Sequence, residues 1–203
     1  MEIKAIIFDV GGVLIRTADR TSRQRLEERL GLAEWESEKI VFNSEIGRQA
    51  QRGIVTNRDL WEAVAQSLSL SPEAVELFKR DFWGGDVLDE AMVELIRQLK
   101  QRYQTAIISN ATDSLRETLQ TIYPIADAFD LIVVSAEEKV MKPDPEIYRR
   151  TLKRLGCEAA ESVFIDDFAE NVAAARDLGM NVIHFNQSGN LAAELKKLGV
   201  DPL

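Results

Sequence analysis

Short apolar runs punctuate the chain at Ile3 to Phe8, Thr105 to Ser109, Leu131 to Val134, Val163 to Ile165 and Val182 to Phe185. Each is too short for a helix and is bounded by turn-forming residues, which predicts buried strands. Between and after the later runs, apolar residues recur at helical spacing over Asp89 to Gln101, Asp113 to Thr121, Pro145 to Leu155, Ala169 to Leu178 and Asn190 to Leu198. Gly156, Gly179 and Gly199 fall where helix C-caps belong. Strands separated by single helices imply right-handed crossovers, hence a doubly wound α/β fold whose parallel sheet is covered on both faces.

The first strand breaks this rhythm, because a long stretch from Ile15 to Asp86 intervenes and reads as helical throughout. Leu26 and Leu30 share a face, as do Trp61, Val64, Ala65 and Leu68, and Ser71-Pro72 has the form of a helix start before Val75, Phe78 and Lys79. The expectation is an α/β core of residues 1–14 and 87–203 interrupted by an all-helical cap over 15–86, with Gly84 and Gly85 as the return hinge. Trp35, Trp61, Phe82 and Trp83 are expected in the cap's core, with Phe82 and Trp83 the two near enough to the hinge to reach a ligand.

With 203 residues, 45% of them hydrophobic, the chain can bury a substantial core. Its net charge of −9 opposes binding to nucleic-acid backbones or anionic membranes. No run approaches a membrane span. One cysteine, Cys157, precludes an internal disulfide and fits a reducing, cytoplasmic setting. An acidic protein that handles an anion needs a local device to reverse its field. A small phosphorylated substrate and a monomeric or homodimeric state are the expected partners.

In open α/β sheets, ligands bind beyond the carboxyl ends of the strands. There the sequence places Asp9-Val10-Gly11-Gly12, then Ser109-Asn110, then Lys142-Pro143 after the third run, and Asp166-Asp167. Three carboxylates sharing one crevice repel by several kcal/mol unless a cation offsets them. All-oxygen donors without a His or Cys cluster favour Mg²⁺ over zinc or copper. With that charge in place, Asp9 is set to attack phosphorus. Gly11 and Gly12 offer backbone N–H groups to a phosphate, Ser109 a hydroxyl, Asn110 an amide, and Lys142 neutralises the transferring phosphoryl group. Asn171, one helical turn beyond Asp167, is placed to orient that carboxylate or waters on the ion. One of Asp166 and Asp167 is also expected to cap the following helix. His184, inside the last apolar run, reads as a core or sheet-edge residue.

The order and spacing of these motifs over nearly the whole chain resemble the haloacid dehalogenase superfamily. The matching segments are Phe8-Asp9-Val10-Gly11-Gly12-Val13-Leu14, Ile108-Ser109-Asn110, Met141-Lys142-Pro143-Asp144-Pro145 and Phe164-Ile165-Asp166-Asp167. The carboxy-terminal half, with Asn171 and Asp177-Leu178-Gly179-Met180, is similar to the phosphatase domain of soluble epoxide hydrolase and to bacterial sugar-phosphate phosphatases. The resemblance implies a Rossmann-like core, a phospho-aspartate at Asp9, and Mg²⁺ held by Asp9, the carbonyl of Gly11 and Asp167, with Asp166 and Asn171 behind them. It also implies that the inserted helices close over the site and select the substrate. One position departs: most family phosphatases carry a second Asp, the leaving-group acid, where this chain has Gly11. A general acid contributes typically 10²- to 10⁴-fold. The implied outcomes are a phosphatase for esters with good leaving groups, or one that borrows an acid such as Glu45 from the cap. The alternatives are a dehalogenase using the same Asp, and a weakly active or non-catalytic phosphate or metal binder.

Overall fold

The computed structural model describes residues 2–201. Its centre is a five-stranded, all-parallel sheet ordered β5-β4-β1-β6-β7. The strands are β1 (Ala5–Phe8), β4 (Gln104–Ser109), β5 (Leu131–Val134), β6 (Ser162–Asp166) and β7 (Asn181–His184). β1 lies in the middle, fully buried, because Ala5, Ile6, Ile7 and Phe8 present apolar side chains to both faces. One face carries a cluster with Ile6, Phe8, Ile96, Ile107 and Ile165, and the other a cluster with Ile7, Ile108, Tyr148 and Phe164.

The covering helices are α6 (Glu90–Leu99), α7 (Leu115–Thr121), α8 (Ser135–Glu138), α9 (Pro145–Leu155), α10 (Ala169–Asp177) and α11 (Leu191–Lys197). Helix α9 shows how locally the sequence sets these boundaries. The Asp144 side chain accepts from the Glu146 N–H, Pro145 supplies a preset φ, and Gly156 ends the helix in the left-handed region at φ 65°, which glycine adopts without the clash a side chain would bring.

Between β1 and α6 the chain runs through β2 (Ile15–Thr17), α1 (Thr21–Leu30), α2 (Glu36–Glu38), a π-helical turn (Lys39–Asn43), α3 (Glu45–Gln51), α4 (Asn57–Ser67), α5 (Pro72–Trp83) and β3 (Asp86–Leu88). These helices enclose an apolar cluster of their own, including Leu26, Trp61, Val64, Val75, Phe78 and Phe82. Ser71 caps α5 by accepting from Ala74 N–H. The stretch is not helical throughout. Its two ends pair as the antiparallel ribbon β2–β3, with Ile15 opposite Leu88 and Thr17 opposite Asp86. Gly85 is needed there because a Cβ would stand 1.7 Å from the carbonyl oxygen of Asp19, two residues beyond β2.

A mostly buried charge network reinforces this junction. Arg23 reaches Asp86 at 3.0 Å and Glu38 at 3.2 Å, Arg20 reaches Glu38 at 2.8 Å, and Glu27 accepts from Ser37. Trp35 departs from its expected core place: it is 51% exposed, with the Arg20 guanidinium 3.5 Å from its ring centroid. Trp61 and Phe82 are buried, whereas Trp83 is 44% exposed. Complete burial removes Phe82 from any role in touching a ligand.

Candidate active site

The carboxyl ends of β1, β4 and β6 and the loop after α8 converge on Asp9. Its Oδ1 accepts from Val10 N–H at 2.7 Å and meets the Lys142 ammonium at 2.9 Å. No hydrogen bond to Asp9 Oδ2 occurs among the described residues, so one oxygen is oriented and the other is free. Lys142, only 1% exposed, also meets Asp166 Oδ2 at 2.6 Å. Carboxylate oxygens of Asp9, Asp166 and Asp167 all lie within 4.8 Å of one another.

Electrostatics follow from that crowding. Burial pushes the Asp9 carboxyl up to about 7, the Asp166 charge adds to the effect, and Lys142 opposes it. Asp167 is also raised, first by burial and then by Asp166. Three carboxylates against one ammonium leave a formal excess of two negative charges in a mostly buried cluster of hard oxygen donors. A hard divalent cation such as Mg²⁺ fits both the donor chemistry and the charge.

The other sequence candidates divide. Ser109 is buried at the end of β4, and its hydroxyl has no partner among the described residues, which leaves it available to a ligand. Gly11 is exposed, and a Cβ added there would meet nothing within 4 Å. Gly12 differs from the expectation that its N–H serves a phosphate, because that N–H is donated to the Ile15 carbonyl at 2.9 Å. It is needed for another reason. Its φ is +77°, and a Cβ would lie 2.1 Å from Asp167 Oδ2, so the missing side chain is what lets Asp167 approach.

The Asn110 side chain does not face the site as a free amide either: its Oδ1 accepts from Lys142 N–H at 2.8 Å and its Nδ2 donates to the Lys142 carbonyl at 2.9 Å. Asn171 orients Asp166 rather than Asp167, its Nδ2 lying 3.1 and 3.0 Å from the two Asp166 oxygens. Asp166 also accepts from Phe168 N–H at 2.7 Å and so ties the turn into α10. Glu45 is exposed, and hydrogen bonds from Gln49 and Arg48 hold its carboxyl below the usual range, so it is ionised near neutrality and unsuited to donate a proton.

His184 takes the sheet-edge place expected of it, on the edge strand β7. It is exposed at the end of β7, and its Nε2 donates to the Asp167 carbonyl at 2.9 Å. With Gly12, Asp167, Phe185, Asn186 and Gln187 it lines an open concavity of about 570 Å³ beside the carboxylates. Its register opposite Asp166 is the signal that placed it there, and that register is invisible in a four-residue apolar run.

A central Asp just after β1, a buried lysine bridging it to a second carboxylate, and a third carboxylate packed on glycine make an aspartate-centred site at the carboxyl edge of a parallel α/β sheet. The chain belongs to the haloacid dehalogenase-like hydrolase family, whose model matches residues 3–179. It is 32% identical over 196 residues to the sesquiterpene phosphatase astK of Aspergillus oryzae, covering 96% of both chains. It is 24% identical to the bifunctional epoxide hydrolase 2 of Mus musculus, aligning 98% of this chain with 39% of that longer protein. Among solved structures, a HAD family enzyme of Bacteroides thetaiotaomicron in complex with magnesium and inorganic phosphate shares the fold with a TM-score of 0.80 at 23% identity, covering 95% of this chain and 98% of that one.

Proposed function

We propose that the protein is a Mg²⁺-dependent phosphatase that hydrolyses small phosphorylated metabolites through an aspartyl-phosphate at Asp9. The observation that supports this reading best is the single buried ammonium shared by Asp9 and Asp166 beside Asp167. Asp9, the Gly11 carbonyl and Asp167 would hold the cation, whose charge lets a phosphate dianion approach a carboxylate. Asp9 Oδ2, the oxygen with no partner, forms the bond to phosphorus as the ester P–O bond breaks. The leaving oxygen departs with the bonding pair. Lys142 faces the charge on the phosphoryl oxygens, Ser109 donates its hydroxyl to one of them, and the exposed N–H of Gly11 is free to serve another. Water then attacks phosphorus, releasing inorganic phosphate and restoring Asp9.

At Gly11 no side chain protonates the leaving oxygen, which favours esters whose alcohol leaves easily, such as sugar 1-phosphates. The inserted helices over 15–86 act in this reading as the cap that selects the substrate, and residues 1–14 with 87–203 as the catalytic core. The astK relative adds sesquiterpenyl phosphates to the substrates to be tried. A setting in the cytoplasm agrees with the single cysteine, and no helix among the described residues is long and apolar enough to cross a membrane.

The dehalogenase reading shares Asp9 and differs in the bond attacked. The discriminating experiment supplies Mg²⁺ and follows phosphate release from aryl, sugar and sesquiterpenyl phosphates, alongside halide release from 2-chloropropionate. Phosphate without halide supports the proposal. Halide without phosphate replaces it with the dehalogenase.

A further inference from the structure

Lys142 lies in an irregular loop between α8 and α9, where no strand or helix supplies hydrogen bonds to its backbone. Its peptide bond to Pro143 is cis, and Pro143 has no N–H to contribute. Among the described residues the partner found for both the N–H and the carbonyl of Lys142 is one side chain, that of Asn110. A planar amide holds one donor nitrogen and one acceptor oxygen side by side. Set against the N–H and carbonyl of a single residue, at 2.8 and 2.9 Å, it reproduces the exchange that a neighbouring strand would make. Asn110 itself follows Ser109, whose strand β4 pairs with both β1 and β5. The clasp therefore ties the lysine loop to the strand beside the one that presents Asp9.

The second end of the lysine is fixed independently. Its ammonium lies between Asp9 and Asp166, and Asp166 is held in turn by the Asn171 amide. With both ends set, the ammonium has little freedom to leave the nucleophile. We infer that Asn110 is a positioning residue, which acts on the reaction only by holding the Lys142 backbone, and that its side chain is not a phosphate ligand. The inference rests on the proposed role of Lys142 in phosphoryl transfer, but the clasp can be tested apart from it.

The test uses the full chain as wild type, Asn110→Ala, Lys142→Ala and the double variant, each checked for folding by circular dichroism and thermal melting. In the first arm, amine acylation is timed at each lysine by peptide mass spectrometry, which needs no enzymatic activity. Asn110→Ala should speed acylation of Lys142 severalfold while exposed Lys4 and Lys197 are unchanged. Acylation of Lys142 at the wild-type rate, or faster only in step with a general loss of folding, overturns the clasp. The second arm measures kcat/KM for aryl phosphate hydrolysis with Mg²⁺. Asn110→Ala should lower it about tenfold or more, and the double variant should match Lys142→Ala alone, because Asn110 has nothing left to position. Losses that multiply would show a direct contact with substrate and overturn the inference. Absence of phosphatase activity in the wild type would refute the proposed function instead, with the acylation arm still deciding the role of Asn110.

Discussion

Replacing Gly11 by Asp restores the carboxyl group that most family phosphatases carry two residues after the nucleophile, and the structure allows its effect to be worked out. A Cβ at this position meets no atom within 4 Å, and Gly11 is absent from the glycines with positive φ, so the side chain enters without strain. The residue is exposed at the mouth beside Asp9, where an added carboxyl can exchange protons with water. A placed general acid is worth typically 10²- to 10⁴-fold, or about 3–5 kcal/mol of barrier at 1.36 kcal/mol per decade. That gain belongs to substrates whose leaving oxygen must be protonated. An alkyl or sugar 6-phosphate should therefore gain on the order of a hundredfold in kcat/KM, whereas an aryl phosphate, whose phenolate leaves unaided, should gain less than about tenfold. Phosphate release from 4-nitrophenyl phosphate and from glucose 6-phosphate, measured in parallel on wild type and Gly11→Asp, separates the two. Equal gains on both substrates, or none in a correctly folded variant, would refute the claim that the missing acid limits this enzyme.

Three other perturbations probe the geometry. Gly12→Ala places a methyl group 2.1 Å from Asp167 Oδ2 at a φ of +77°, so Asp167 must retreat, and the Mg²⁺ concentration for half-maximal activity should rise tenfold or more, by about the loss typical of disturbed metal sites; an unchanged Mg²⁺ response would contradict that use of the glycine. In chelator, Asp9 titrates near 7 when folded against 3.8 as the ordinary value, so between these limits the folded protein binds more protons than the unfolded one and stability should fall as pH rises toward 8. Asp167, also raised, acts with the same sign, and because cation binding requires ionised carboxylates, Mg²⁺ should lift the melting temperature more at pH 8 than at pH 6; the reverse order would sink this reading. Gly53 has φ +61° and packs where a Cβ would lie 1.9 Å from the Ala136 carbonyl, so Gly53→Ala should cost about 1–3 kcal/mol or more in urea unfolding, and an unaltered midpoint would deny that contact.

The core and the side chains crowded around Asp9 are legible in the sequence because two strong physical signals coincide. Apolar runs locate buried strands, and ligand chemistry in parallel sheets gathers beyond their carboxyl ends, which singles out Asp9, Ser109, Lys142, Asp166 and Asp167 in four short segments. Helix punctuation was equally local, as Ser71-Pro72 and Gly156 show. What escaped depends on partners far away in the chain. The β2–β3 ribbon has strands of only three residues each, too short for alternation to register. Nothing in the spacing of Arg20, Arg23, Glu27, Glu38 and Asp86 announces the mutual pairing that lets them be buried or half-buried. The same holds at the site: Asn110 and Gly12 were found as residues but not in their use, since a polar group's partner decides whether it faces a ligand. His184 has the sheet-edge position expected of it, and what its run could not show is the contact of its Nε2 with the Asp167 carbonyl.

The measurement that bears most directly on the central claim is phosphate release from an aryl phosphate by wild type and Asp9→Asn, with Mg²⁺ and with chelator. Asparagine keeps the shape of Asp9 but removes its nucleophilic charge. The account predicts release by the wild type with Mg²⁺ alone, and no release above background in the other three conditions. Release by a folded Asp9→Asn variant, or undiminished release in chelator, would contradict it.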